Sequence, residues 1–402
     1  MLPLKGLKVV DFGQGIAGPY AAMLMGDAGA EVIKVEPPRG DWGRTLGSPL
    51  GASESATFLS VNRNKRSMVV DLSRPEGSRV AAKLIGDADV LIQSFRPKVM
   101  ARYGLDYDSV SHTRPNLIYC SISGYGASGP CADLPAGDST MQAYGGLMSI
   151  VGEDGAPPMR VGNVVSDMLA GMNAFHGILL ALLNRRMEPS GVHVEVSLLS
   201  SLIAFQAPVF YEYLVSGTPP ARTGNTHPLL APSGLFEAAD GALVFSVLAH
   251  QWTAFCEFFD FVSLANDPRF ADNKTRVMNH RALMDLLRPR FRQEPRSAIL
   301  EKLRACDVPC APVNDFPAIV ADPQVAATGL LQQVLHPSLG KIPSICNPVS
   351  INGKAAVQGH VPVLGEHTDA ILREIGYGNE EIGRFLDDGV VYAAIEGEHS
   401  RS

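Results

Sequence analysis

Asp167 is the carboxylate whose setting most suggests chemistry. With Ser166 it heads an apolar run over residues 168–184, where a helix N-terminus belongs. A carboxylate there is kept ionised by the helix dipole and is available as a nucleophile. The same position suits an ordinary helix cap, and this stretch alone does not separate the two. Gly13-Gln14-Gly15-Ile16-Ala17-Gly18 fits G-x-G-x-x-G letter for letter, and Glu36 closes the next strand about 20 residues on. That pattern imitates a dinucleotide fingerprint and suits a phosphate, an adenosine or a nicotinamide cofactor. Arg39, Lys65, Arg66, Arg96 and Arg102 lie where they could meet an anionic ligand or form a solvated face.

These groups need a frame. Residues 7–12 read as a buried strand, Pro19 suits the first turn of a helix to about Ala28, and residues 31–36 form the second strand. Further strands at 68–72, 89–94 and 116–122 alternate with helices. One helix opens on Ser73-Arg74-Pro75-Glu76, read as a capping box, and another begins at Pro97. This alternation predicts an α/β fold with a parallel sheet, right-handed crossovers and a ligand beyond the C-terminal strand ends.

In the helix after Asp167, residues Met168, Met172, Phe175, Leu179 and Leu182 predict a buried stripe. Gly171, Ala174, Gly177 and Ala181 add a face that admits a close neighbour, while Arg185, Arg186, Pro189 and Gly191 suit the helix end. A strand at 191–196 and a long apolar helix at 198–215 follow. Residues 217–225 have linker composition, and a hairpin turning at Asp240-Gly241 opens a separate α+β domain. The expected division is 1–216, 225–320, and a return segment 321–402 that completes the first domain and ends in a polar tail.

A chain of 402 residues argues for two or three domains. The net charge of −7 gives no basic footprint for nucleic acid. The opening residues lack a signal-peptide pattern, and no apolar run reaches about 18 residues, so a cytoplasmic protein without a membrane span is expected. The six cysteines form no C-x-x-C pair and have no histidine at ligand spacing, which predicts reduced thiols and no metal.

Several stretches resemble the class III CoA-transferases. They are Leu4-x-Gly6-Leu7-Lys8-Val9-Val10-Asp11 with Ala17-Gly18-Pro19, and Gly29-Ala30-Glu31-Val32-Ile33-Lys34-Val35-Glu36. They continue with Asn62-x-Asn64-Lys65-Arg66-Ser67, Ser121-x-Ser123-Gly124-Tyr125-Gly126, Gly145-Gly146-Leu147-Met148 and the Gly234-Leu235-Phe236 to Asp240-Gly241 hairpin. The match runs from about Leu4 to Tyr377. The resemblance implies a Rossmann-like large domain, a smaller α+β domain and an interlocked homodimer. It also implies that the glycine turn helps hold coenzyme A, brought as the acyl-CoA substrate, instead of a nicotinamide.

By the same resemblance Asp167 is the covalent nucleophile, and Ser94, Phe95, Arg96 and Arg102 match positions that contact CoA in formyl-CoA transferase. Ile16, Arg39, Lys65, Leu72 and Asp138 complete the expected CoA-binding set. Asp138 could equally be a loop carboxylate with local hydrogen bonds. The family's racemases carry G-H-D where this chain has Ala136-Gly137-Asp138, so glycine replaces their histidine base. Pro37 replaces an arginine of formyl-CoA transferase, and Leu229 to Gly234 replace its glycine run, which argues against oxalate or formate. The implied activity is transfer of CoA from an acyl-CoA donor to a free carboxylic acid. A small dicarboxylate such as succinate, itaconate or mesaconate would use Arg44, Arg160 or Arg222 for its second charge. An unperturbed aspartate, pKa ~3.9, would need no base. An α-methylacyl-CoA racemase and a CoA-binding protein without turnover are the alternatives.

Overall fold

The computed structural model describes residues 2–50, 54–185, 187, 190–353 and 359–394. The expected helix-end residues Arg186 and Pro189 and the polar tail lie outside the described residues. The described chain divides into two compact units. One comprises Met1–Leu147, Val161–Gly217 and Val325–Ser402, and the other Met148–Arg160 and Thr218–Gln324.

The first unit is built on strands β1 (Lys8–Asp11), β2 (Glu31–Glu36), β3 (Lys65–Val70), β4 (Val90–Gln93), β5 (Ile118–Ser123) and β6 (Val192–Ser197). They run parallel in the order 3-2-1-4-5-6, and β7 (Val391–Tyr392) pairs antiparallel with β3 at one edge. Val9, Val10, Val32, Ile33, Met68, Val69, Leu91 and Ile92 are all buried. Near-continuous apolar strands of this kind suit a parallel sheet covered on both faces. Strand order reverses between β1 and β4, the place where doubly wound sheets open a ligand crevice. The Gln14 backbone N–H donates to Ser94 Oγ at 3.0 Å, joining the loops that follow these strands.

Helix α1 (Ala17–Asp27) follows the glycine turn, and α2 (Pro75–Gly86) adds Val80, Ala81, Leu84 and Ile85 to the core. The capping box expected before α2 does not form. Arg74 is the cap residue, and Ser73 Oγ bonds instead to Asp71 Oδ1 at 2.6 Å. Proline at the helix start does hold, since the missing N–H is an orphan there anyway. Helix α3 (Asp138–Tyr144) precedes α4 (Val165–Asn184), and α5 (Leu198–Phe205) follows β6.

On α4 the small face, not the large stripe, is buried. Ala170, Gly171, Ala174, Ile178 and Ala181 face inward, whereas Met172 is exposed and Phe175 and Leu179 are half-buried. A Cβ on Gly171 would stand 2.7 Å from the Ala17 carbonyl of α1, so close helix packing selects glycine here. By length and composition α4 could cross a membrane; here it packs against α1, β5 and β6. The long helix expected at 198–215 is two helices, α5 and Ala207–Ser216, bent by 71°. Pro208 in the first turn of the second helix suits a new start better than continuation.

The return segment contributes α6 (Thr368–Glu374) and α7 (Asn379–Asp387), whose Ile371, Leu372, Ile382 and Phe385 join the same core as Val10, Ile33 and Val80. In the second unit, strands Ser233–Ala238, Gly241–Ser246 and Cys310–Pro312 form an antiparallel sheet. Its core includes Phe236, Phe245, Phe255, Phe259, Phe270 and Phe291. Residues 148–160 join this unit, a piece that linker composition did not reveal. Gly224 N–H donates to Gly152 O at 2.9 Å, and Arg222 Nη2 to Ala156 O at 2.6 Å.

Candidate active site

A charge network lies beneath the glycine turn. Lys34 donates to Gly13 O at 2.8 Å and pairs with Asp41 at 2.7 Å. Asp11 Oδ1 accepts from Gly13 N and Asp41 Oδ1 from Gly15 N, each at 2.8 Å. The N–H groups of Gly13, Gln14 and Gly15 are therefore spent on Asp11, Ser94 and Asp41. A pyrophosphate cradle of the dinucleotide kind needs such donors free. Trp42 closes over the turn, and a Cβ on Gly15 would fall 1.9 Å from its ring. Glu36, the acid the fingerprint assigns to a ribose, is buried and bonded to Arg44, Ser67 Oγ and Asp41 N. Burial alone would raise its pKa, but Arg44 outweighs it and the carboxyl falls to about 2. The nicotinamide reading fails on these bonds.

Above this network, at the strand ends, is a cleft of about 570 Å³. Asp167 opens onto it together with Gln14, Ile16, Trp42, Ser94, Phe95, Arg96, Gly137 and Asp138. The cap residue of α4 is Val164, whose side chain cannot accept a bond, so Asp167 stands one turn in instead of capping the helix. Asp138 supplies the acceptor. Its Oδ1 takes bonds from Ser166 N and Ser166 Oγ, both at 2.8 Å, and its Oδ2 from Gln142 Nε2 at 2.7 Å. Gln142 also accepts from Val161 N at 2.8 Å and donates to Asn163 O at 3.0 Å, fixing the chain that leads into α4.

Asp167 keeps some surface in the cleft, yet most of the volume around its carboxyl is protein. Burial, then the neighbouring Asp138 charge, push its pKa up to about 7. The expectation of an ordinary, fully ionised aspartate is corrected by these two causes. Gly137, in the position of the racemase histidine, has no atom within 4 Å of where a Cβ would stand, so the cleft has room there but no base.

The structure brings Ile16, Ser94, Phe95, Arg96, Asp138 and Asp167 to one cleft, and puts Arg102 with Phe95 and Arg96 on an adjoining hollow. Other expected contacts lie elsewhere. Lys65 is buried, and its ammonium donates to Asp11 Oδ2, Pro19 O and Asn62 Oδ1 at 2.9, 2.7 and 2.8 Å. No proton remains for a ligand. Burial lowers its pKa to about 8 against the pull of Asp11. Leu72 packs on the core behind the sheet, and Arg39 is exposed away from the cleft lining. Arg66 is paired with Glu31 and Glu374. Arg44 is consumed by Glu36, while Arg160 and Arg222 belong to the second unit. Trp42 and Gln14 were not singled out, since neither type nor spacing marked them. Only their place beside the glycine turn could have.

His360, Glu366 and His367 bring possible metal-ligand atoms within 4.8 Å of one another. His367 Nδ1 accepts the Ser67 N–H at 3.3 Å, however, so the proton of a neutral ring sits on Nε2, facing Glu366 as a donor.

The chain thus has a doubly wound sheet with a carboxylate, Asp167, in the cleft at its switch point, where sheets of this class bind ligands. The model of CoA-transferase family III matches residues 4–368, and the chain belongs to this family of enzymes. It is 35% identical over 394 residues to human succinyl-CoA:glutarate CoA-transferase, covering 97% of this chain and 90% of that one. It is 37% identical over 355 residues to the acetyl-CoA:oxalate CoA-transferase of Acetobacter aceti, covering 87% and 90%. A crystal structure of a CAIB/BAIF family protein from Brucella suis superposes with a TM-score of 0.84 at 34% identity, covering 93% of this chain and 99% of that one.

Proposed function

We propose that the enzyme moves CoA between a dicarboxylyl-CoA and a free dicarboxylic acid through a covalent intermediate on Asp167. The observation that carries this reading is the Asp167 carboxyl at the cleft wall, beside the loops that follow β1 and β4. Asp167 attacks the donor thioester carbonyl, the C–S bond breaks, and CoA thiolate leaves an aspartyl–acyl anhydride. The thiolate attacks the Asp167 carbonyl, the donor acid departs, and Asp167 holds CoA as a thioester. The acceptor carboxylate then displaces the thiolate, and the thiolate takes the acceptor acyl group, which restores the aspartate. Every step exchanges one acyl leaving group for another, and once Asp167 is ionised none needs a base.

The substrate class rests on relatives whose named acids, glutarate and oxalate, are both dicarboxylates. Oxalate, set aside on the missing glycine run, therefore returns as an acceptor to be tested. CoA itself is assigned to Ile16, Ser94, Phe95, Arg96 and Arg102, the expected contacts that share the cleft and its adjoining hollow. We also propose a homodimer, interlocked as in the family. Leu180 and Leu183 on α4 and Tyr211, Leu214 and Val215 on the following helix are exposed apolar side chains that a second copy would cover. The racemase reading is disfavoured by Gly137. The deciding experiment is a panel of acyl-CoA donors and C2 to C6 acids read by mass spectrometry. Exchange with dicarboxylates is expected, and exchange with monocarboxylates alone would overturn the substrate class.

A further inference from the structure

We propose that Asp138 is a positioning residue for the transfer: it replaces the missing side-chain cap of α4, and its charge keeps the Asp167 carboxylate electron-rich. This rests on the reading of Asp167 as nucleophile. Three observations carry it. Val164, at the cap position, offers no acceptor, so the first N–H groups of α4 need one from elsewhere. Asp138, buried and first in α3, accepts from both the backbone and the hydroxyl of Ser166, the residue before the nucleophile. Gln142, one turn along α3, holds the other Asp138 oxygen and the 161–163 chain together, so the carboxylate cannot swing away without freeing the approach to α4.

Two effects oppose each other at Asp167. The α4 N-terminus draws electron density from a carboxylate in its first turn, and this would weaken a nucleophile. A second carboxylate in the same cleft, Asp138, offsets that pull. The elements packed on α4 carry few other candidates. Helix α1 has Tyr20 and Asp27, α3 has Tyr144 besides Asp138, β5 has Tyr119 and Cys120, β6 has His193 and Glu195, α5 has none, and α4 itself has His176. Of these groups Asp138 alone lines the cleft with Asp167, and it is bonded to the residue before it.

The test is the pH dependence of kcat and KM for Asp138→Asn. Asparagine keeps an acceptor for Ser166 and removes the charge, but loses the bond from Gln142 Nε2, which would then meet an amide NH2. The expected result is an unchanged KM for the acyl-CoA, a kcat lower by roughly tenfold on the alkaline plateau, and an acid limb moved down by about one pH unit. A purely structural residue would lower kcat without moving the limb, and that outcome overturns the proposal. If D138N fails to fold, the variant Val164→Ser with Asp138→Asn supplies a cap on α4 itself and should fold with the same moved limb. Failure of that double variant to fold, or an unmoved limb in it, also overturns the proposal. Trapping of an acyl group on Asp167 in the unaltered enzyme separates the two readings. An adduct with an unmoved limb rejects the role of Asp138 alone, whereas absence of an adduct rejects the nucleophile on which it rests.

Discussion

Arg44 grips Glu36 through two bonds, Nε to Oε2 and Nη2 to Oε1, each 2.8 Å, with the guanidinium 3.7 Å from the centroid of the Phe58 ring. The pair is buried and tied to the return segment, since Nη2 also reaches Pro362 O at 3.2 Å. Arg44→Met should leave the Glu36 charge buried without its main partner, at about 3–5 kcal/mol. Because the folded pKa of Glu36 is depressed to about 2, its contribution is full above the unfolded value and is lost as pH falls towards 2. Denaturant unfolding at pH 7 and pH 3 checks both statements. A loss of stability that is equal at the two pH values would contradict them.

Lys65 provides a contrast between a structural and a ligand-binding cation. Lys65→Met should strand Asp11 and destabilise the fold by about 3–5 kcal/mol. The KM for the CoA ester, measured on the folded fraction, should stay within about twofold. A tenfold rise in KM with unchanged stability would restore Lys65 to the CoA site.

Arg96 and Arg102 are exposed at the cleft and its adjoining hollow, with room for phosphate. Charged hydrogen bonds to phosphate are felt in ground and transition states alike, at about 1.5–3 kcal/mol. Arg96→Ala and Arg102→Ala should therefore raise KM for acyl-CoA about 10- to 100-fold and spare kcat. Unchanged KM in both would place the phosphates elsewhere.

The raised Asp167 pKa has two opposite signs for function and stability. The free carboxyl is protonated below about 7, so the kcat/KM of the free enzyme should rise with pH through that value. Ionising a group whose folded pKa is raised weakens the fold. Unaltered protein should thus lose stability as pH rises from the unfolded value near 4 to about 7. Asp167→Asn should be the more stable protein at pH 8, by about 1–3 kcal/mol, and inactive in transfer. Thermal unfolding of both proteins at pH 4 and pH 8 tests this. A stability difference that does not grow with pH would argue against a strained carboxylate.

Much of the frame was legible because parallel strands read as short apolar runs and crossover helices as 3.6-residue patterns. β1 to β6 fall close to where residue types put them. The site was legible where the clue is local. Asp167 lies in the first turn of its helix, and Ser94 to Arg96 directly follow β4. It was illegible where long-range pairing decides. Lys65 and Arg44 look like ligand cations until Asp11 and Glu36 are seen to hold them. The glycine turn looks like a phosphate cradle until its N–H groups are traced to Asp11, Ser94 and Asp41. The stripe on α4 misled for another reason. Periodicity finds faces but does not say which one packs, and glycine and alanine won by letting α1 come closer.

The central claim is that acyl transfer passes through Asp167, and direct trapping tests it most sharply. Enzyme incubated with its donor ester and then treated with hydroxylamine or borohydride should yield a modified peptide over residues 161–185 with the change on Asp167. Asp167→Ala should fold, bind CoA, lose transfer by at least ~10³-fold and show no modification. Efficient exchange between donor and acceptor with an unmodified Asp167 peptide under the same trapping conditions would contradict the account.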